Sequence, residues 1–135
     1  METITESPAE TKELGRKTAA NLKGGQTFAL SGDLGSGKTT FVQGFAAGLG
    51  YTGRIISPTF ILMRKYPHFY HVDLYRFEDN IAQEVENIGL TDILGKGKNI
   101  VVIEWAEKIK DLIPANAVWI KFENLGKDKR RIIIE

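Results

Sequence analysis

The stretch Gly32–Thr39 has the residue types and the spacing of a phosphate-binding loop. It reads Gly-Asp-Leu-Gly-Ser-Gly-Lys-Thr, a full match to the pattern G-x-x-x-x-G-K-[ST]. Its three glycines allow the backbone to approach a polyphosphate without Cβ clashes, so that successive N–H groups point at the phosphates. Lys38 adds a cation for the β- and γ-phosphates, and the Thr39 hydroxyl suits Mg²⁺. The alternative is a glycine-rich turn that caps an ordinary helix, but a Lys-Thr pair has no structural purpose there.

The residues on either side of this loop predict the elements that position it. Gln26–Ser31 is a short, mostly apolar run typical of a buried strand. Phe41–Leu49 carries apolar residues at helical spacing, and Gly50 ends the helix. Strand, glycine loop and helix is the arrangement that the motif requires. The residues expected to bind the phosphate-bearing cofactor form one run: Asp33, Leu34, Gly35, Ser36, Gly37, Lys38, Thr39 and Thr40.

A second acidic position follows another strand. Asn99–Ile103 is a continuous apolar run, which indicates a buried parallel strand, and Glu104 comes directly after it. A magnesium nucleotide site takes a carboxylate from the end of a neighbouring strand. Mg²⁺ is bound by one or two carboxylates together with phosphate oxygens and waters. We therefore expect Thr39 and Glu104 to be the metal ligands, the alternative being a charge exposed at a strand end.

The third group of polar residues lies in His71–Arg76. In a strand, His71, Asp73 and Tyr75 would share one face, because strand side chains alternate. One hypothesis is that His71 and Asp73 orient an attacking water or the surroundings of the metal, which makes Asp73 and Glu104 the candidate catalytic residues. Periodicity alone favours the alternative, a surface strand with alternating polar side chains.

Length and composition predict a single domain over residues 1–135. The 42% hydrophobic and 26% charged residues are typical of a soluble globular protein. A net charge of +1 gives no basic footprint for direct nucleic-acid binding, and the lack of cysteine excludes disulfides. From the polar N-terminus we expect no signal peptide, and no apolar run reaches the roughly 18 residues of a membrane span. We expect a cytoplasmic protein.

The rest of the chain predicts alternating helices and strands. A helix is expected from Pro8 to about Leu22, with Ser7 and Glu10 as a capping box. Further strands are predicted at Arg54–Ser57, Ile61–Tyr66, Phe69–Tyr75, Val118–Phe122 and Arg131–Ile134, and helices at Glu78–Asn87 and from Trp105 to about Leu112. The second and third of these strands form a hairpin and the last two an antiparallel pair. The predicted class is a compact α/β fold whose mixed sheet has the strand before the glycine loop near its middle.

Five motifs in this order resemble the TsaE family, also called YjeE. They are GDLGSGKTT at Gly32–Thr40, SPTF at Ser57–Phe60, HVDLYR at His71–Arg76, NIGL at Asn87–Leu90 and IEWAE at Ile103–Glu107. The resemblance covers essentially the whole chain, and the motifs after the first are together far more specific than the glycine loop. It implies a P-loop NTPase-like three-layer sandwich with a central mixed, mainly parallel sheet.

The resemblance also implies an activity and partners. The family is the small bacterial ATPase of tRNA threonylcarbamoyladenosine biosynthesis, which binds ATP and Mg²⁺ and hydrolyses ATP slowly. It docks on a complex of TsaD and TsaB, which builds the threonylcarbamoyl group onto adenosine 37 of tRNAs that read ANN codons. Hydrolysis is expected to reset that complex for repeated turnover. Contact with tRNA is then indirect, and no membrane is involved.

The roles that the resemblance implies for single residues agree with those expected from their chemistry. Lys38 and Thr39 would serve phosphate and Mg²⁺, and Glu104 would complete the metal site. Asp73 would orient water or metal, and Trp105 would flank the nucleotide. The resemblance also implies a switch-like loop with Ser57 and Thr59. Lys127, Arg130 and Arg131 resemble a basic stretch near the C-terminus of the family, and the alternative for these three is a solvated turn. The hairpin turn at 66–68 is shorter than is usual in the family.

The residues also bear on three other functions. A small-molecule kinase needs an acceptor pocket and usually an arginine-bearing lid, but the six arginines are scattered and no insertion is long enough. A GTPase is disfavoured because Asp92–Gly95 matches only the weak D-x-x-G pattern and no N-K-x-D motif occurs. A non-catalytic nucleotide switch, in which ATP binding alone changes the affinity for a partner, stays open.

Overall fold

The structure, a computed structural model, describes residues 1–55, 63–76, 79–94 and 97–135. The strands in these ranges are β1 (Glu2–Thr5), β2 (Gln26–Ser31), β3 (Met63–Tyr66), β4 (Phe69–Asp73), β5 (Ile100–Glu104), β6 (Val118–Gly126) and β7 (Lys129–Ile134). The helices are α1 (Pro8–Ala20), α2 (Lys38–Gly48), α3 (Ile81–Asn87), α4 (Leu90–Ile93) and a 3₁₀ helix (Ala106–Leu112). None of the described helices is long and apolar enough to cross a bilayer.

The strands form one seven-stranded mixed sheet with β2 at its centre. Their order is β1-β7-β6-β2-β5-β4-β3. The four central strands β6, β2, β5 and β4 run parallel to one another, and antiparallel strands extend the sheet on both sides. The predicted mixed α/β fold, with the strand before the glycine loop in the middle, is therefore confirmed. The register pairs Glu104 with Leu30 on one side and with Asp73 on the other, so these strand ends meet at one edge.

Two hydrophobic layers cover the two faces of the sheet. Phe28 and Leu30 of β2 pack with Phe41 and Phe45 of α2 on one face, while the intervening Ala29 belongs to the cluster on the other. The second cluster contains apolar residues of β4, β5, α3, α4 and the 3₁₀ helix. Each fully buried phenylalanine contributes roughly 1.5–3 kcal/mol to folding. The alternation fixes which strand residues lie beneath α2.

Helices α1 and α2 pack closely because glycines lie at their interface. A Cβ built on Gly15 would overlap the Phe41 carbonyl oxygen, and one on Gly44 would overlap that of Lys12. The Ser7 hydroxyl caps α1 by accepting a hydrogen bond of 3.1 Å from the Glu10 N–H, as predicted. The Glu10 carboxylate accepts from the N–H of Glu6, one residue before the cap, rather than from Ser7.

Several predicted boundaries were wrong. Helix α2 begins at Lys38 rather than Phe41, because Gly37 adopts a positive φ of 103° and serves as its N-cap. Strand β4 ends at Asp73 rather than Tyr75, because the Asp73 carboxylate accepts a hydrogen bond of 3.0 Å from the Tyr75 N–H and turns the chain. Arg76 therefore lies in a turn, and strand alternation does not describe where it points.

Other differences concern the ends of the chain and the ends of its helices. β1 was not predicted, because four residues with a polar majority give little periodicity, yet β1 pairs with β7 at the sheet edge. The helix after Trp105 is a 3₁₀ helix, and α1 ends at Ala20 instead of Leu22. Of the strand predicted at Arg54–Ser57, the described residues 54 and 55 are not in a strand. Predictions for Ser57, Thr59, 61–62, Glu78 and Gly95 lie outside the described residues.

Candidate functional site

The glycine loop joins β2 to α2, and its backbone adopts positive φ angles that would be strained for a residue with a side chain. Gly35 and Gly37 have φ values of 76° and 103°. The Ser36 N–H donates to the Asp33 carbonyl at 3.1 Å, and the Asn124 amide of β6 donates to the Gly35 carbonyl at 3.4 Å. The loop is thereby held open at the N-terminus of α2, where free N–H groups and the helix dipole favour an anion.

Lys38 is the most constrained side chain of the loop. It is only 5% exposed, and its Nζ donates to the carbonyl oxygens of Gly32 and, at 3.0 Å, Asp33. The same Nζ lies 4.1 Å from the centre of the Trp105 ring, a cation–π distance. Burial lowers the pKa of Lys38, while the carboxylates of Glu104, Glu107, Asp73 and Asp33 act to raise it. The ammonium is thus fixed at the floor of the site.

Glu104 is in hydrogen-bond contact with side chains from two different elements. The Thr39 hydroxyl donates to Oε1 at 3.1 Å, and Nε2 of His71 lies 2.6 Å from Oε2. Glu104 is 2% exposed and His71 fully buried. The Glu104 side chain is therefore not a charge exposed at a strand end, and the stretch 69–73 is not a surface strand.

Asp73 lies beside Glu104 at the end of β4. The two residues are paired in the parallel register, and Asp73 is part of the cavity wall, bonded to the Tyr75 N–H. The Tyr75 ring contacts that of Trp105, with 5.4 Å between ring centres. Trp105 itself has a positive φ of 62°, which turns the chain away from β5 and directs the indole toward Lys38.

These residues surround one cavity of about 400 Å³. Its lining residues are Leu34, Gly35, Ser36, Gly37, Lys38, Thr39, Thr40, Asp73, Tyr75, Glu104, Trp105 and Arg130. Every residue expected to bind cofactor or metal, or to act in catalysis, is in this set except Asp33. Asp33 takes part through its backbone carbonyl, which accepts from Lys38 and Ser36.

Three residues of the site were not given definite roles from sequence. Arg130 of β7 reaches the cavity, and its Nη1 donates to the Asn124 side chain at 3.1 Å and to the Lys127 carbonyl at 2.7 Å. Asn124 in turn contacts the loop at Gly35. Tyr75 lines the cavity from the turn after β4. The sequence signal for Tyr75 was its place in the motif His71–Arg76, and that for Arg130 was the basic stretch at the C-terminal hairpin. Asn124 gave no signal, because its contacts depend on how β6 and β7 pair beside β2.

The donor set suits a magnesium polyphosphate. The Thr39 hydroxyl and Glu104 Oε1 are 3.1 Å apart and supply the hard oxygen atoms that Mg²⁺ prefers, next to a phosphate-binding loop. No group of three or more His, Asp or Glu side chains that could hold a metal occurs in the part of the chain described. Mg²⁺ bound together with phosphates and waters needs fewer protein ligands than that.

Comparison with known proteins gives a consistent result. A family model described as "Threonylcarbamoyl adenosine biosynthesis protein TsaE" matches residues 5–132. The "tRNA threonylcarbamoyladenosine biosynthesis protein TsaE" of Bacillus subtilis (strain 168) is 41% identical over 132 residues, which cover 95% of this chain and 80% of that protein. The protein of the same name from Rickettsia bellii is 40% identical over 134 residues, with 96% and 90% covered.

A solved structure agrees with these sequence matches. The crystal structure described as "Bacillus subtilus YdiB" superposes with a TM-score of 0.77 at 34% identity, covering 98% of this chain and 82% of that one. The family-model match over residues 5–132 includes the glycine loop, the strands that carry Asp73 and Glu104, and most of β7. On the evidence of its sequence and of its fold, this chain belongs to the TsaE family.

Proposed function

We propose that this chain is a slow Mg²⁺-dependent ATPase that acts in forming the threonylcarbamoyl group on adenosine 37 of tRNA. The observation that carries the proposal is the hydrogen bond of 3.1 Å between Thr39 and Glu104 at the N-terminal end of α2. It brings the hydroxyl of the phosphate loop to a carboxylate at the end of the neighbouring parallel strand. This pairing of groups is what a magnesium nucleotide site requires.

The polyphosphate would be bound by the loop and by Lys38. The N–H groups at the start of α2 would donate to phosphate oxygens, helped by the helix dipole. Lys38 Nζ lies among the Gly32 and Asp33 carbonyls on the cavity floor, and it would exchange part of these acceptors for phosphate oxygens. Trp105 covers the other side of the ammonium and keeps it pointing into the loop.

Mg²⁺ would be held by the Thr39 hydroxyl and by Glu104 Oε1. The metal, when bound, neutralises charge that develops on the phosphate oxygens during transfer. Asp73 would orient the attacking water, because its carboxylate lines the same cavity in register with Glu104. Phosphoryl transfer depends on such positioning and on charge stabilisation far more than on covalent chemistry by the protein.

Slow hydrolysis by the isolated chain follows from the cations at the site. Among the described residues, Arg130 is the one arginine that lines the cavity, and its Nη1 is engaged by Asn124 and by two backbone carbonyls. Arg130 would have to give up these contacts before Nη1 could meet the charge that develops on the phosphate. A partner could raise the rate by lending a charge to the site.

The proposed partners are TsaD and TsaB, with tRNA reached through their complex. Support comes from membership of the TsaE family and from the names of the relatives, which place them in tRNA threonylcarbamoyladenosine biosynthesis. The net charge of +1 also argues that tRNA is not bound directly, since direct binding requires a basic surface.

Phosphate release, measured with and without TsaD–TsaB, tests the proposal. We expect slow release that requires Mg²⁺, increases with the partners and is lost in Lys38→Ala but kept in the control Lys23→Ala, an exposed lysine after α1. ATP binding without any phosphate release, with or without partners, would instead support the non-catalytic switch. Transfer of the γ-phosphoryl group from ATP to a small-molecule acceptor, in place of release to water as phosphate, would favour a kinase.

A further inference from the structure

His71 is a fully buried histidine whose ring faces the site's carboxylate. It lies on β4, opposite Val102 of β5, and so reaches diagonally to Glu104, two residues further along. The distance between His71 Nε2 and Glu104 Oε2 is 2.6 Å. A buried carboxylate is costly unless its oxygens accept hydrogen bonds, and His71 supplies one of its two donors.

A carboxylate binds a metal in its ionised form. An ionised carboxylate only accepts hydrogen bonds, so Nε2 of His71 would then be the N–H donor to Oε2. Nδ1 is buried and has no hydrogen-bond partner among the described residues. The ring is thereby committed to Glu104, and the described residues offer no competing contact that could rotate it away.

We propose that His71 is a positioning residue that fixes the Glu104 carboxylate for metal binding. The inference rests on the proposed function, because it assigns His71 a task at the metal site. With Oε2 held by His71, the other oxygen is directed at Thr39, where the metal would bind. Without that contact, the carboxylate could rotate about its terminal torsion and present its oxygens in other directions. Mutating a residue that orients a metal ligand typically lowers the metal affinity by 10–100-fold.

The test compares two amides at position 71. The amide nitrogen of glutamine reaches approximately the place of the histidine Nε2, whereas that of asparagine reaches approximately the place of Nδ1. His71→Gln therefore keeps the donor to Glu104, and His71→Asn removes it with similar polarity. The matched control is His68→Asn, which changes the other histidine, exposed in the turn between β3 and β4.

The measurement is the affinity for ADP by titration calorimetry, with Mg²⁺ and with EDTA. The ratio of the two affinities reports metal binding independently of hydrolysis. We expect this ratio to fall about tenfold in His71→Asn and to stay within about threefold of wild type in His71→Gln and His68→Asn. The affinity in EDTA should be unchanged in all three variants, which shows that the phosphate loop has kept its fold.

Each outcome is decisive. If Mg²⁺ does not change ADP affinity even in the wild type, the metal site of the proposed function is wrong and this inference falls with it. If the wild type shows the effect and His71→Asn shows it equally, only the role of His71 is overturned. Should His71→Asn not fold, nitrogen-15 NMR of the wild-type ring decides. Protonation at Nε2 is expected, and protonation at Nδ1 alone would refute the proposal.

Discussion

Thr39 and Glu104 are joined by a hydrogen bond of 3.1 Å although 65 positions separate them in the chain. The contact exists because β2 and β5 are parallel neighbours, with Leu30 opposite Glu104. The chain leaves β2 through the glycine loop and returns over the same face in α2, whose first turn then lies above the end of β5. The fold therefore builds the pairing of hydroxyl and carboxylate from the register of two strands and one tight loop.

Replacing Glu104 by glutamine should separate metal binding from nucleotide binding. Glu104→Gln removes the charge while the amide can still contact Thr39 and His71, so the fold is preserved. We expect Mg²⁺-dependent hydrolysis to fall at least tenfold and ATP affinity in EDTA to change less than threefold, because one carboxylate ligand is lost. The control is Glu86→Gln on the exposed side of α3. Unchanged hydrolysis across a magnesium titration would remove Glu104 from the metal site.

Thr39→Ala tests the other proposed metal ligand. The hydroxyl is lost, and among the described residues only the His71 side chain still contacts the Glu104 carboxylate within hydrogen-bond distance. We expect a loss of Mg²⁺-dependent hydrolysis similar to that in Glu104→Gln, again with little change of nucleotide affinity in EDTA. Thr39→Ser should restore most of the activity, since it retains the oxygen. A serine variant as inactive as the alanine variant would show that the hydroxyl alone does not account for the role of Thr39.

Lys38→Ala should weaken nucleotide binding itself. The variant removes a charge-assisted hydrogen bond to phosphate, worth roughly 1.5–3 kcal/mol, and ATP affinity should therefore fall about tenfold or more. A modest loss of stability should accompany this, because the Gly32 carbonyl loses the Lys38 ammonium as a donor and the Asp33 carbonyl retains Ser36. A fluorescent ATP analogue gives the affinity, with Lys23→Ala as the control. Wild-type affinity in Lys38→Ala would contradict the phosphate role, and GTP should bind less well than ATP.

Local patterns predicted the elements of this site better than their contacts. The buried strand β2, the glycine loop and the apolar run of β5 are each visible within ten residues of sequence. The period of two also placed His71 and Asp73 on one face of β4, with Val72 in the opposite cluster. What periodicity could not decide was whether that polar face is solvated or buried. The answer depends on α2 covering it, which is a non-local property.

The contacts that were missed come from long-range pairing. Arg130 reaches the cavity because β7 pairs with β6, which in turn lies beside β2, and no local pattern reveals that order. The start of α2 was missed by three residues for a different reason. Hydrophobic spacing begins at Phe41, whereas the helix begins where Gly37 changes the backbone direction.

The glycines between α1 and α2 should be essential for stability. In Gly44→Ala the added methyl group meets the Lys12 carbonyl oxygen, a backbone atom that cannot move without shifting the helix. We expect the free energy of unfolding to fall by roughly 1–3 kcal/mol, the usual cost of overpacking. Gly24→Ala is the control, because no atom lies within 4 Å of its built Cβ, and surface changes of this kind stay within about 0.5 kcal/mol. Urea unfolding gives the free energy of unfolding of both variants. Equal values would show that α1 and α2 can move apart at this contact without loss of stability.

Asp73 offers a test of how the proposed hydrolysis is linked to the partner complex. Its Oδ1 accepts a hydrogen bond of 3.0 Å from the Tyr75 N–H, so Asp73→Ala would change both the turn and the charge. Asp73→Asn keeps an acceptor oxygen at that place and removes only the negative charge. If the carboxylate orients the attacking water, both variants should bind ATP with nearly wild-type affinity and assemble with TsaD–TsaB. Both should lose partner-stimulated hydrolysis, by 10²-fold or more on the general scale of base catalysis.

The decisive assay is threonylcarbamoylation of tRNA by the reconstituted complex under multiple turnover, where a first round should occur and later rounds should stop. Many rounds with Asp73→Asn would assign Asp73 to the turn after β4 and to nothing more.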